Sequence, residues 1–233
     1  MQAMFPSRHP LAKVRQGAIL LLTGAIVMLA GFALHPAESA SDTGVTAKSI
    51  ADHAAMWTAA HALLAAGGVL VAIAAFGLAK ARYGPTRFPN GRRAWLTLAG
   101  SALLALEIFL LEATLAVKYG KAGDISALDG LLPLEIPGIV GLFGLSAAGV
   151  WIFGAQLADP CPVLPKAFNA IGALGALLGF AGSIAYGLGN DTWANLQYGN
   201  GVFLLVLVGF SIKALVESSP RRQASGTKAA PTE

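Results

Sequence analysis

Six long apolar segments constrain the fold of this chain more than any other feature. Each runs for about 18 to 24 residues, which at 1.5 Å per residue is enough for a helix to cross the ~30 Å hydrocarbon core of a bilayer. Lipid offers the backbone no hydrogen-bond partners, so such segments must be helices. The predicted spans are Gly17–Leu34, Met56–Ala79, Ala94–Val117, Leu132–Ala155, Ala167–Leu188 and Gln197–Val216.

The composition agrees with an all-α integral membrane bundle of six transmembrane helices. Only 12% of the 233 residues are charged, against about 25% in soluble domains, and the mean hydropathy is +0.65. A net charge of +4 could suggest a nucleic-acid-binding surface, but the basic residues lie in alternate connections. We therefore expect membrane lipids as partners and no nucleic acid.

The distribution of Lys and Arg predicts the orientation of the helices. Of 16 basic residues, all but Lys48, Lys118 and Lys121 fall on one side of the predicted membrane. The positive-inside rule places that side, with both termini, in the cytoplasm, assuming a bacterial inner membrane. The residues on that side are Arg8, Lys13, Arg15, Lys80, Arg82, Arg87, Arg92, Arg93, Lys166, Lys213, Arg221, Arg222 and Lys228.

The predicted organisation has three parts. Residues 1–16 form a cytoplasmic N-terminal segment, residues 17–217 the transmembrane domain, and residues 218–233 a polar, disordered cytoplasmic tail. One alternative is that the first span is a cleaved signal peptide, because a basic flank precedes it. Cleavage after Ala40 would put Glu38 at the −3 position, where a small residue is expected, so we favour retention. The single cysteine, Cys161, excludes an intrachain disulfide.

Two strips of glycine predict close helix packing. Because the fourth and fifth spans share a short connection, we expect these two spans to pack on each other within one chain. The alternative is an intermolecular face, in a homo-oligomer or a larger membrane complex. The strips are Gly138, Gly141 and Gly144 in the fourth span, and Gly172, Gly175, Gly179 and Gly182 in the fifth.

Ionisable residues within spans are costly and usually have a function. His61 is in the second span, Glu107 and Glu112 are in the third, and Glu135 is in the fourth. At 1.5 Å per residue, His61, Glu112 and Glu135 lie roughly 5–8 Å inside the outer boundary. Glu107 is deeper, near the midplane.

Two further histidines, His35 and His53, lie at the same outer boundary. His53, Trp57 and His61 are four residues apart and would form one stripe on a regular helix. We expect this stripe to face Glu112 and Glu135, because a neutral histidine lowers the cost of burying a carboxyl group.

Helical geometry adds two expectations about the glutamates. Glu107 and Glu112 point about 140° apart on a helix, so both should not face the same partner directly. Pro133 and Pro137, on either side of Glu135, loosen the start of the fourth span, which is tolerated where protein covers it or where it lines a wet cavity. Aromatic residues at this boundary, including Tyr186, are expected to form an interfacial belt without chemistry.

Three functions remain open for these residues. The first is a structural or accessory membrane protein, in which the polar cluster fixes helix register. The second is metal or haem binding, with candidate ligands His35, His53, His61, Glu112 and Glu135. The third is a proton-linked transporter, or an enzyme acting on a lipophilic substrate in an outward-facing cavity. Its candidate catalytic residues are His61, Glu107, Glu112 and Glu135.

Overall fold

The computed structural model describes residues 9–36, 38–39, 41–81, 83 and 90–219. The polar tail predicted to be disordered lies outside the described residues from position 220 onward. Residues 1–8 of the N-terminal segment and most of the basic second connection also lie outside them.

Among the described residues, six helices are long and apolar enough to cross a membrane, which confirms the predicted all-α six-helix bundle. Two short helices lie in the connections, and a third continues the third span. The helices are α1 (His9–Leu34), α2 (Thr43–Ala81), α3 (Gly91–Leu111), α4 (Val117–Ala122), α5 (Ile125–Asp129), α6 (Leu132–Ala158), α7 (Lys166–Gly187), α8 (Asp191–Ala194) and α9 (Gly199–Glu217). A π-helical turn, Glu112–Ala116, joins α3 to α4 in one long span, and a 3₁₀ turn, Asn195–Tyr198, leads from α8 into α9.

The six long helices form a closed ring. Each packs against the preceding and the following long helix, and α9 closes the ring against α1. Large side chains fill its interior, including Trp95, Phe153, Leu207 and Phe210, all fully buried. The bundle therefore has a packed core along most of its length.

The fourth and fifth spans pack on each other, as predicted, but most of their strip glycines contact other helices. The strip in α6 packs on α3: a Cβ on Gly138 would lie 2.5 Å from Ile108 Cβ, and one on Gly141 would collide with the backbone at Ala105. These contacts lie inside one chain.

The strip in α7 packs mainly on α9 and the 3₁₀ turn before it. A Cβ on Gly175 would lie 2.9 Å from Val202 Cβ, and one on Gly182 would collide with the backbone of Gln197. Only Gly172 meets α6, at Phe153. Since every helix in the ring has two neighbours, a short connection does not decide which face meets which neighbour.

One end of the bundle holds most of the candidate residues, and we call it the His–Glu end. Here α1 ends, α2 begins, and the short helices α5 and α8 cover the connections. Both short helices are capped by a side chain: Asp124 accepts from the N–H of Ala127, and Asn190 accepts from the N–H of Trp193.

Candidate functional site

All six long helices or their adjoining connections contribute a polar side chain to one group at the His–Glu end. We call this group the His–Glu cluster. Its members are His35, Glu38, Trp57, His61, Glu107, Glu112, Glu135, Tyr186 and Gln197.

Two imidazoles meet where α1 ends against α2. His35 Nε2 lies 3.2 Å from His61 Nε2, and the ring centroids are 4.7 Å apart. His35 Nδ1 lies 2.8 Å from the carbonyl oxygen of Pro36, and His61 Nδ1 lies 2.9 Å from that of Trp57. All four ring nitrogens of the pair therefore have a partner.

Trp57 connects the imidazoles to the carboxyl groups. Its ring lies 4.9 Å from that of His35, and its Nε1–H donates to Glu112 Oε2 across 3.1 Å. The indole is fully buried. Glu112 is in turn hydrogen-bonded through its carboxyl group to Glu135 on α6. A hydrogen bond between two carboxyl groups requires a proton on one of them, since an ionised carboxylate can only accept.

Glu107 reaches the same part of α6. Its Oε2 accepts the backbone N–H of Gly138 across 3.0 Å, one turn after Glu135. The two glutamates were expected not to face the same partner directly. They contact different residues, but both of those residues lie on α6. Glu107 contacts Gly138 and Glu112 contacts Glu135, so both side chains reach α6 from different turns of the third span.

Glu38, in the connection between α1 and α2, completes the cluster. Tyr186 Oη donates to Glu38 Oε2 across 3.1 Å, and Gln197 is a second side-chain hydrogen-bond partner. Desolvation by burial raises the pKa of Glu38 above its ordinary value of 4.5, although the charge of His35 and these two hydrogen bonds oppose the shift. Glu38 also interacts electrostatically with Glu112 and Glu135.

Hydrogen bonds to Asp191 hold the connection that carries Glu38 against α8. Ser39 Oγ donates to Asp191 across 3.2 Å, and Ser41 Oγ also donates to Asp191. Ser39 N–H donates to Thr46 Oγ1 across 3.0 Å. These bonds hold the α1–α2 connection against the start of the last span, and so position Glu38 near Tyr186 and Gln197.

The cluster contains four carboxyl groups and no Lys or Arg. Within the part of the chain that the structure describes, the one Lys or Arg ion pair joins Lys213 to Glu217, 3.6 Å apart at the opposite end. The cost of burying the carboxyl groups of the cluster must therefore be offset by hydrogen bonds, by shared protons and by the imidazoles.

His53 does not join the cluster, so the predicted His53–Trp57–His61 stripe is wrong at its first member. The helix is broken at His53, whose backbone lies at φ −128° and ψ 28°, and its side chain is exposed. The break removes the regular four-residue spacing on which the stripe depended. Trp57 and His61 lie beyond the break and are buried.

The sequence reasoning missed three members of the cluster: Glu38, Tyr186 and Gln197. Glu38 lies in a connection, where an acidic residue is unremarkable, and Tyr186 was assigned to an interfacial belt. An available signal was that both lie at the same predicted boundary as the other candidates. Neither hydropathy nor periodicity places the side chains against each other.

The metal alternative finds no matching geometry in the described ranges. There, no group of three or more His, Cys, Asp or Glu side chains is arranged to hold a metal ion. His35 and His61 contact each other directly, and Glu112 contacts Trp57 and Glu135.

Comparisons with protein-family models, with curated proteins and with solved structures find no match for this chain.

Proposed function

We propose that this chain is a proton-linked membrane protein whose His–Glu cluster binds and releases protons. The supporting observation is the hydrogen bond between the carboxyl groups of Glu112 and Glu135. Such a pair holds a proton between two acids, and its protonation steps belong to the pair rather than to either residue.

The cost of the arrangement favours a functional role. An uncompensated buried carboxylate is expensive, and intramembrane acids usually mark proton or substrate pathways. Four acidic side chains from three parts of the chain converge here without a Lys or Arg. A purely structural contact could be made at lower cost by neutral side chains, so the presence of four acids supports proton binding.

Two local irregularities in the helices support the same proposal. The π-helical turn begins at Glu112 itself, and such turns occur frequently at functional sites. The backbone break at His53 lies one turn before Trp57. Both irregular segments adjoin the Trp57–Glu112 hydrogen bond. A change in the protonation of Glu112 would therefore act on the backbone where the helices depart from regular geometry.

Glu38 provides a route between the interior of the cluster and its surface. It is half-buried in the α1–α2 connection, whereas Trp57 and His61 are buried within the span. Its electrostatic interactions with Glu112 and Glu135 link protonation at the surface to the carboxyl pair.

Infrared spectroscopy tests the proposal directly. Difference spectra of the purified full-length protein, recorded while pH is changed, should contain a band from a protonated carboxyl group that Glu112→Gln and Glu135→Gln each alter. The matched control is Asp52→Asn, which removes an exposed carboxyl group at the same end. Absence of a protonated-carboxyl band in the wild type, at every pH where it stays folded, would overturn the proposal.

The second candidate is a structural or accessory protein whose polar cluster fixes helix register. The observation that favours it is the complete burial of Trp57, whose indole N–H is already satisfied by Glu112. This candidate predicts that Glu112→Gln lowers stability while proton uptake, measured with an indicator dye after an acid pulse, stays at the Asp52→Asn level. The proton-linked candidate predicts that proton uptake falls in Glu112→Gln and does not fall in Asp52→Asn.

A further inference from the structure

The histidine pair carries an inference that goes beyond the carboxyl groups and does not depend on them. Its basis is the number of protons needed for the hydrogen bonds around His35 and His61. A neutral imidazole has one N–H donor and one bare acceptor nitrogen, and an imidazolium has two donors.

The two outer bonds determine which nitrogens are protonated. His35 Nδ1 lies 2.8 Å from the carbonyl oxygen of Pro36. His61 Nδ1 lies 2.9 Å from the carbonyl oxygen of Trp57. A carbonyl oxygen can only accept, so each Nδ1 must carry a hydrogen. If both rings were neutral, both Nε2 atoms would be bare.

The inner contact then requires one more proton. The two Nε2 atoms are 3.2 Å apart, and two bare lone pairs at that separation would repel. One Nε2 must therefore carry a hydrogen and donate it to the other. The two rings together then hold three N–H hydrogens, one more than two neutral imidazoles hold. We propose that His35 and His61 form a proton-sharing imidazole–imidazolium pair with one positive charge inside the bundle.

The surroundings suit such a charge. Glu38 is the carboxyl group that interacts electrostatically with His35, and Glu112, Glu135 and Tyr186 are the other titratable groups around Glu38. The ring of Trp57 lies 4.9 Å from that of His35 and 5.3 Å from that of His61, and an aromatic ring stabilises a neighbouring cation. The pair thus supplies positive charge to a cluster that has no Lys or Arg.

The more exposed ring is the better carrier of the extra proton. His35 is half-buried at the end of α1, whereas only 5% of His61 is exposed. Desolvation disfavours a charge more strongly on His61. The expected ground state therefore has the imidazolium on His35 donating to a neutral His61.

Nitrogen NMR of the full-length protein, labelled with ¹⁵N only in histidine, tests the pair. The chain has four histidines, so single His→Gln variants assign every signal. We expect both Nδ1 atoms to be protonated near neutral pH and a through-hydrogen-bond coupling between the two Nε2 atoms. His53→Gln, at an exposed site, should leave this coupling unchanged, and His35→Gln should abolish it.

The wild-type spectrum alone can overturn the inference, so the result does not depend on a variant that folds. A bare Nδ1 on either ring, or a neutral pair that holds only two protons, would contradict it. The infrared band of the carboxyl pair is a separate readout, so failure of the histidine pair is distinguishable from failure of the proposed function.

Discussion

The indole N–H of Trp57 donates to Oε2 of Glu112 across 3.1 Å, and the same carboxyl group bonds to Glu135. One glutamate on the third span therefore links the second span to the fourth. The bond lies at the start of the π-helical turn, where the backbone of that span departs from regular α geometry.

Trp57→Phe should lower the free energy of unfolding in detergent micelles by about 1–2 kcal/mol, because it leaves Glu112 without its indole donor. The matched control is Trp151→Phe, since Trp151 is 38% exposed on the outer surface of the bundle and should change stability little. Equal losses in the two variants would show that the Trp57–Glu112 bond contributes nothing specific.

Gly141→Ala should destabilise the bundle by about 1–3 kcal/mol, because the new methyl group would force α6 away from the backbone of α3. Gly154, in the same helix, has no neighbouring atom within 4 Å of a Cβ at that position. Gly154→Ala should be neutral or stabilising by up to about 1 kcal/mol through its higher helix propensity. Detergent-unfolding curves of both variants measure the difference, and a stable Gly141→Ala protein would contradict the close α3–α6 contact.

Glu38 should make stability depend on pH. Burial raises its pKa above 4.5, so the folded protein binds this proton more tightly than the unfolded chain. Its contribution to stability is complete below pH 4.5 and is lost as pH rises through the raised pKa. The wild type should therefore lose stability relative to Glu38→Gln over that range.

Unfolding curves at a series of pH values measure this difference. Asp52→Asn, at an exposed carboxyl group, should track the wild type throughout. A wild type that gains stability relative to Glu38→Gln as pH rises would mean that hydrogen bonds and His35 outweigh desolvation at Glu38.

Asp191→Ala should loosen the α1–α2 connection, because it removes the acceptor of the hydroxyl groups of Ser39 and Ser41. Amide hydrogen exchange measured by mass spectrometry should become faster in peptides that cover residues 39–46. Asp52→Ala is the control, since it removes an exposed carboxyl group farther along α2. Unchanged exchange in Asp191→Ala would show that other contacts hold the connection.

The predicted orientation can be tested with the single native cysteine. Cys161 is exposed in the α6–α7 connection, on the predicted cytoplasmic side. A membrane-impermeant maleimide should label it in inside-out vesicles only. In a Cys161→Ser background, Ser126→Cys in α5 at the opposite end should be labelled in right-side-out vesicles only. The reverse pattern would contradict the orientation derived from the basic residues.

Sequence reasoning predicted the long helices well but the cluster only in part. Its span boundaries fall within a few residues of α6, α7 and α9, because a lipid-exposed backbone must form its own hydrogen bonds over a length fixed by the bilayer. The second span begins earlier than the predicted Met56, since α2 starts at Thr43. His35, which was placed at the same outer boundary as the other candidates, lies against His61.

Periodicity failed where the backbone is irregular or where the side chain lies in a connection. His53 lost its predicted neighbours because the helix breaks at that residue. Glu38 has Tyr186 and Gln197 as hydrogen-bond partners because the α1–α2 connection folds over the end of the bundle. A pattern within one helix contains no information about either event.

The amino-acid sequence by itself determined that the chain forms six apolar helices, since hydropathy and length decide that without reference to any partner. Only the tertiary structure decided which glycine strip meets which helix and which acids share hydrogen bonds. The physical reason is that these relationships depend on the rotation and neighbours of each helix in the closed ring. Residues 74 positions apart, such as His61 and Glu135, belong to one cluster only after that ring has formed.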